Sequence, residues 1–104
     1  MRAMLVYVMC QNGEEAHAIA RALVGERLAA CANVLGAVHS FYRWQGAMAE
    51  SAEVALILKT REALVERLTA RVKELHGYSV PCVVALPIAS GNPDYLAWIA
   101  AETA

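Results

Sequence analysis

The residues here that could do chemistry are three thiols and a group of polar-tipped aromatics. Cys10, Cys31 and Cys82 are odd in number and widely spaced, with no Cys-x-x-Cys among them. Reduced thiols are expected, not a disulfide framework. Cys31, Tyr42, Trp44, Lys59, Tyr78 and Trp98 form a second constellation: one thiol, one lysine and aromatics that combine a flat apolar body with a hydrogen-bonding tip. Such a set suits a ligand cleft, here between subunits. It equally suits interface packing of the rings, with Lys59 in an ion pair. Enzymatic acyl or glycosyl chemistry needs a nucleophile beside a base, or two carboxylates in distinct environments. Nothing in the chain pairs in that way, so a non-enzymatic role is expected.

These side chains have to be positioned by the stretch from Leu28 to Thr60, two extended runs separated by Gln45-Gly46-Ala47. The first, Ala29 to Trp44, is rich in β-branched and aromatic residues and lacks helical spacing. At about 3.3 Å per residue it would extend roughly 50 Å, far beyond a subunit whose radius of gyration should be about 13 Å. Gly36 is the expected bulge. In the return run Ala52, Val54, Leu56 and Leu58 share the face expected to be buried, opposite Glu53, Ala55, Ile57 and Lys59. With Phe41, Tyr42 and Trp44 near the tip, too much apolar surface is left for one small subunit to hide, and a long strand edge invites pairing with another chain. A homo-oligomer built through this hairpin is expected.

Around the hairpin, Ala3 to Cys10 reads as a central strand. Asn12 and Glu15 open a helix with Ala16, Ile19, Ala20, Leu23 and Val24 along one face. Thr60 is expected to cap a second helix carrying Leu64, Leu68, Val72 and Leu75, with Gly77 as its left-handed stop. Cys82 to Leu86 forms the last strand, bounded by Pro81 and Pro87, and Asn92-Pro93-Asp94 starts a terminal helix. The order strand, helix, strand, strand, helix, strand, helix predicts an α+β, ferredoxin-like βαββαβ sandwich with a long central hairpin and a short C-terminal helix. A single domain over residues 1–104 is expected.

With 104 residues and a net charge of −1, the chain has no basic stripe, so nucleic acid and anionic membrane are not expected partners. No apolar run approaches the roughly 18 residues that span a bilayer. The apolar start is followed by Gln11, Asn12, Glu14 and Glu15 without an Ala-x-Ala site, so it reads as a strand and not a signal peptide, and a cytoplasmic location is expected.

One series of segments is distinctive as a set: Leu28-Ala-Ala-Cys31-Ala-Asn33, Ser40-Phe-Tyr42-Arg-Trp44-Gln-Gly46, Leu58-Lys59-Thr60, Leu75-His76-Gly-Tyr78, Pro81, Ala85-Leu-Pro87-Ile88 and Gly91-Asn-Pro-Asp94-Tyr95-Leu-Ala-Trp98-Ile99. In order and spacing, from about Val6 onward, this resembles the CutA divalent-cation tolerance family. The resemblance implies a homotrimer of ferredoxin-like subunits joined through residues 29–60, and a part in the response to copper and other divalent cations. It further implies Cys10, ending the first strand, and His76, ending the second helix, as metal ligands. Thiolate and imidazole suit copper or zinc, although a closed zinc site wants four ligands. Without a metal, Cys10 is a small core hydrophobe and His76 a helix-terminal residue favoured by the dipole.

This chain departs from the family pattern near His76. Leu75 stands where some members have a second histidine, and His76-Gly77-Tyr78-Ser79-Val80-Pro81-Cys82 replaces a stretch with two carboxylates. Cys82 offers a soft thiolate in their place. Gly36-Ala37 replaces the usual Pro-Gly, and His39 a Thr or similar residue. A second reading, by likeness of architecture, is a PII-like signalling trimer that answers to a small ligand in its intersubunit clefts.

Overall fold

A computed structural model describes residues 1–103. The strands are β1 (Ala3–Cys10), β2 (Cys31–Trp44), β3 (Ala47–Arg61) and β4 (Val83–Pro87); the helices are α1 (Gly13–Gly25), α2 (Val65–Leu75, after one 3-10 turn) and α3 (Pro93–Glu102). The sheet order is β2-β3-β1-β4, antiparallel throughout. This is the ferredoxin-like α+β arrangement expected from the element order.

Alternation along β1 and β3 decides where the core sits. Val6, Val8, Cys10, Leu56 and Leu58 are fully buried on one face, against Ile19 and Leu23 of α1 and Leu68 and Val72 of α2. Each such aliphatic side chain contributes about 1.5–3 kcal/mol. The other face is covered only at one end, where Ile99 and Leu96 of α3 meet Ala3 and Ala30. Beyond α3 it lies open, with Val84 52% and Leu86 57% exposed.

The hairpin projects. β1 pairs with β3 only from Val54 to Arg61, so residues 47–53 are held by β2 alone. The molecule is consequently 44 Å long and 25 × 23 Å across. Gly36 makes the expected bulge: its φ of 109° accompanies a register shift that leaves Leu35 exposed. Gln45 and Gly46 both have positive φ, as a tight type I′ hairpin turn requires.

Several expectations are corrected. Thr60 does not cap α2. It is fully buried inside β3, its hydroxyl donating to the Leu28 carbonyl at 2.7 Å, and the 3-10 turn and α2 begin without a side-chain cap. Gly77 is not left-handed, since only Gly36 and Gly46 among the glycines have positive φ; a Cβ there would displace the flexible tip of the Gln11 side chain. After α1 the chain turns through Arg27, which is left-handed with φ 61°. Ala29 and Ala30 precede β2, and Cys82 precedes β4. Ala52 is exposed on the overhang, while Glu53 and Ala55, assigned to the opposite face, are buried. The start of α1 is as expected, with the Glu15 amide donating to Asn12 Oδ1 at 2.8 Å. So is that of α3, where the Asp94 amide donates to Asn92 Oδ1 at 3.0 Å.

Candidate functional site

Cys10 ends β1 facing the helices, and His76 ends α2 beside it. Glu15, from the first turn of α1, completes a group whose donor atoms all lie within 4.8 Å of one another. Sequence reasoning used Glu15 only as a helix-capping residue. The signal for more was its position directly after the loop that follows Cys10.

The imidazole of His76 has no exposed surface, and its surroundings assign its tautomer. The Tyr78 amide donates to Nδ1 at 3.0 Å, so in the neutral ring the proton sits on Nε2. Nε2–H then donates to the Met9 carbonyl at 2.7 Å, with Glu15 Oε1 3.3 Å away. Glu15 is as fully engaged. Oε1 accepts the Gln11 amide at 2.9 Å; Oε2 accepts the Gln11 side chain at 3.0 Å and the Gly77 amide at 2.9 Å. The thiol of Cys10 is pushed up to about 12, first by burial and then by the negative charges of Glu15 and Glu53.

In kind, thiol, imidazole and carboxylate fit a copper- or zinc-like cation. In the folded chain, both imidazole nitrogens and the carboxylate already hold hydrogen bonds, and the thiol holds its proton. A cation can enter only as Cys10 releases its proton and His76 gives up a hydrogen bond. Cys82, the proposed supplementary thiolate, is exposed and sits opposite Met9, on the sheet face away from Cys10.

The six residues of the second constellation divide into two groups within one chain. Cys31 and Lys59 face each other across β2 and β3, next to α3. Cys31 Sγ lies 3.5 Å from the Tyr95 hydroxyl, Lys59 donates to Asn33 Oδ1 at 3.0 Å and lies over the Tyr95 ring, and Tyr95 contacts Trp98. Tyr42, Trp44 and Tyr78 instead line a cleft of about 570 Å³ between the overhanging hairpin and the loop after α2. Its walls also include Met9, Glu53 and Cys82. The Tyr78 hydroxyl donates to Glu53 Oε2 at 2.8 Å, and burial, followed by this bond, pushes the phenol up to about 12. Glu53 and Tyr95 escaped sequence reasoning, although a carboxylate within the alternating apolar run of β3 was a visible signal.

The arrangement has close relatives. Residues 4–102 match the family CutA1 divalent ion tolerance protein. The divalent-cation tolerance protein CutA of Thermus thermophilus is 48% identical over 99 residues, covering 95% of this chain and 96% of that protein. The mouse Protein CutA is 45% identical over 93 residues, 89% of this chain but 52% of its own length, so this chain spans about half of that relative. Among solved structures, the Thermus thermophilus divalent cation tolerance protein superposes with a TM-score of 0.96 at 46% identity, over 98% of this chain and 99% of that one. With a fold and a run of near-identical length shared in this way, the chain belongs to the CutA1 divalent ion tolerance family.

Proposed function

We propose that the protein serves divalent-cation tolerance as a homotrimer, taking up copper or another divalent cation at Cys10 and His76 with Glu15 beside them. The observation that carries the metal reading is the convergence of three ligand types within 4.8 Å. Uptake releases the Cys10 proton, so affinity rises with pH. Titration with copper(I) and copper(II) against Cys10→Ala and His76→Ala is the test: both variants should lose binding, and unchanged binding in both ends the assignment.

The trimer reading rests on the open sheet face around Val84 and Leu86 and on the overhanging hairpin, apolar surfaces that one subunit leaves uncovered. Sedimentation should give three times the subunit mass, and a stable monomer at micromolar concentration would refute it. The three free thiols support a reducing, cytoplasmic setting.

The 570 Å³ cleft favours a second reading, a small-ligand response of the PII-like kind. A neighbouring hairpin in the trimer would join the Lys59 group of one subunit to the Tyr42 group of another. A ligand selective for the folded state would raise the melting temperature; a screen of nucleotides, organic anions and amines that shifts nothing counts against it.

A further inference from the structure

His76 and Tyr78 are joined at two points. The Tyr78 amide donates to Nδ1 of His76 at 3.0 Å, and the two rings lie with centroids 4.8 Å apart. At its far end the Tyr78 hydroxyl donates to Glu53 Oε2 at 2.8 Å. Glu53 is where β3 leaves β1 behind, since their pairing stops at Cys10 and Val54. None of this depends on what covers the subunit from outside: the His76 side chain is fully enclosed by its own chain, and every one of these partners belongs to that chain.

A neutral imidazole has one N–H and one lone pair to offer, and His76 has already used both. Nε2–H lies on the Met9 carbonyl at 2.7 Å, and Nδ1 accepts the Tyr78 amide. If Nδ1 becomes a metal ligand, the Tyr78 amide loses its acceptor. If Nε2 becomes the ligand, the proton of the ring passes to Nδ1 and meets the Tyr78 N–H, donor against donor. Either route turns the Tyr78 amide away, and that turn works against the bond from its hydroxyl to Glu53. We propose that Tyr78 is a positioning residue that latches His76 in its metal-free state, anchored by its hydroxyl on Glu53, so that a cation gains His76 only as the latch opens. The proposal rests on the metal reading of Cys10 and His76 and names what regulates that site. By reciprocity, whatever weakens the anchor favours the cation, and whatever strengthens it at the root of the hairpin opposes the cation. A scaffold that readied His76 for metal would act in the opposite sense.

The test is titration of the whole protein with zinc(II) and copper(I) against a chromogenic chelator at one neutral pH. Tyr78→Phe keeps the ring and the amide and removes only the anchor, so it should bind the metal about five- to tenfold more tightly. Unchanged or weaker binding, as a scaffold requires, overturns the latch. In a Glu53→Ala background the anchor has no acceptor, and Tyr78→Phe should then change affinity by less than about twofold; the full effect there overturns the part given to Glu53. A measurement on the parent protein stands even if these variants fold poorly. Both ions are diamagnetic, and metal should speed hydrogen exchange of the Tyr78 amide followed by NMR; an amide as protected with metal as without overturns the latch. The two levels separate through Cys10→Ala. Binding that is absent from the parent, or that Cys10→Ala leaves unchanged, overturns the metal reading and this inference with it, whereas Cys10-dependent binding without tightening in Tyr78→Phe overturns the latch alone.

Discussion

Replacing the partly buried Glu15 by glutamine changes no shape, yet it should cost more than a helix-capping role alone suggests. The carboxylate meets the Gln11 amide and the His76 ring on one oxygen, and the Gln11 side chain and the Gly77 amide on the other. Every one of these neighbours presents an N–H. A carboxamide has to turn its own NH2 toward one of the two edges, where donor faces donor. At least one hydrogen bond to a charged acceptor is lost, worth about 1.5–3 kcal/mol. Loss of the negative charge in the first turn of α1 adds about 0.3–1 kcal/mol. Water reaches part of the site and restores some of this, so about 2 kcal/mol is the expected loss. Glu14→Gln is the control, since it removes the same dipole term one residue earlier without touching the network, and it should cost under about 1 kcal/mol. Urea unfolding at one fixed protein concentration measures both, because subunit association shifts apparent stability by mass action. A Glu15→Gln midpoint no lower than that of Glu14→Gln would refute the reasoning: the four contacts would then be surface hydrogen bonds that water replaces without loss.

Thr60→Val keeps the branched shape but leaves the buried Leu28 carbonyl without its 2.7 Å donor; urea unfolding should show a loss of about 1–2 kcal/mol, and an unchanged midpoint would show that water or a relaxed carbonyl replaces it. Alkaline pH should destabilise the fold through Cys10 and Tyr78. Burial and nearby carboxylates push the thiol from 9.0, and the phenol from 10.0, up to about 12. Both folded values exceed the unfolded ones, so this stability is whole below pH 9 and is lost as pH rises toward 12; unfolding midpoints should fall over that window, and less steeply in Cys10→Ala.

The elements of this fold were legible because each carries a local signal that the tertiary structure does not oppose. Asn12 and Asn92 accept the amides that a capping side chain should, and Gly36 takes the backbone conformation that only glycine adopts without strain. The errors fall where a residue of one element is engaged by another distant in sequence. Thr60 has the composition of a cap, but its hydroxyl is taken by Leu28, 32 residues away, as β3 runs on to Arg61. Gly77 follows a helix as a left-handed stop would, yet its φ is not positive, and what lies against it is the tip of the Gln11 side chain, from much earlier in the chain. Glu53 was assigned to a half-charged face because alternation reports only which residues share a side, not that Tyr78 lies over that side. The two candidate sites share this limit. Cys10 and His76 were legible as ligand types through the family pattern, whereas Glu15 was not, since helix capping was a sufficient reason for it.

The position of Glu15 also sets the terms on which metal and fold coexist. It ties the start of α1 to the end of α2 through Gly77, and its charge helps to hold the Cys10 thiol protonated. The same carboxylate thus stabilises the metal-free subunit and raises the proton cost of using Cys10 as a ligand. Neutralising it by Glu15→Gln lowers that proton cost while removing a carboxylate donor and loosening the contact that keeps His76 in place. A cation bound through Cys10 and His76 alone would tolerate Glu15→Gln, its affinity holding or rising at neutral pH. A cation that also uses the carboxylate would lose affinity together with the fold. Titrating copper into Glu15→Gln beside the parent protein at one pH separates the two arrangements, and with them two accounts of what the partly buried carboxylate contributes to the family's tolerance of divalent cations.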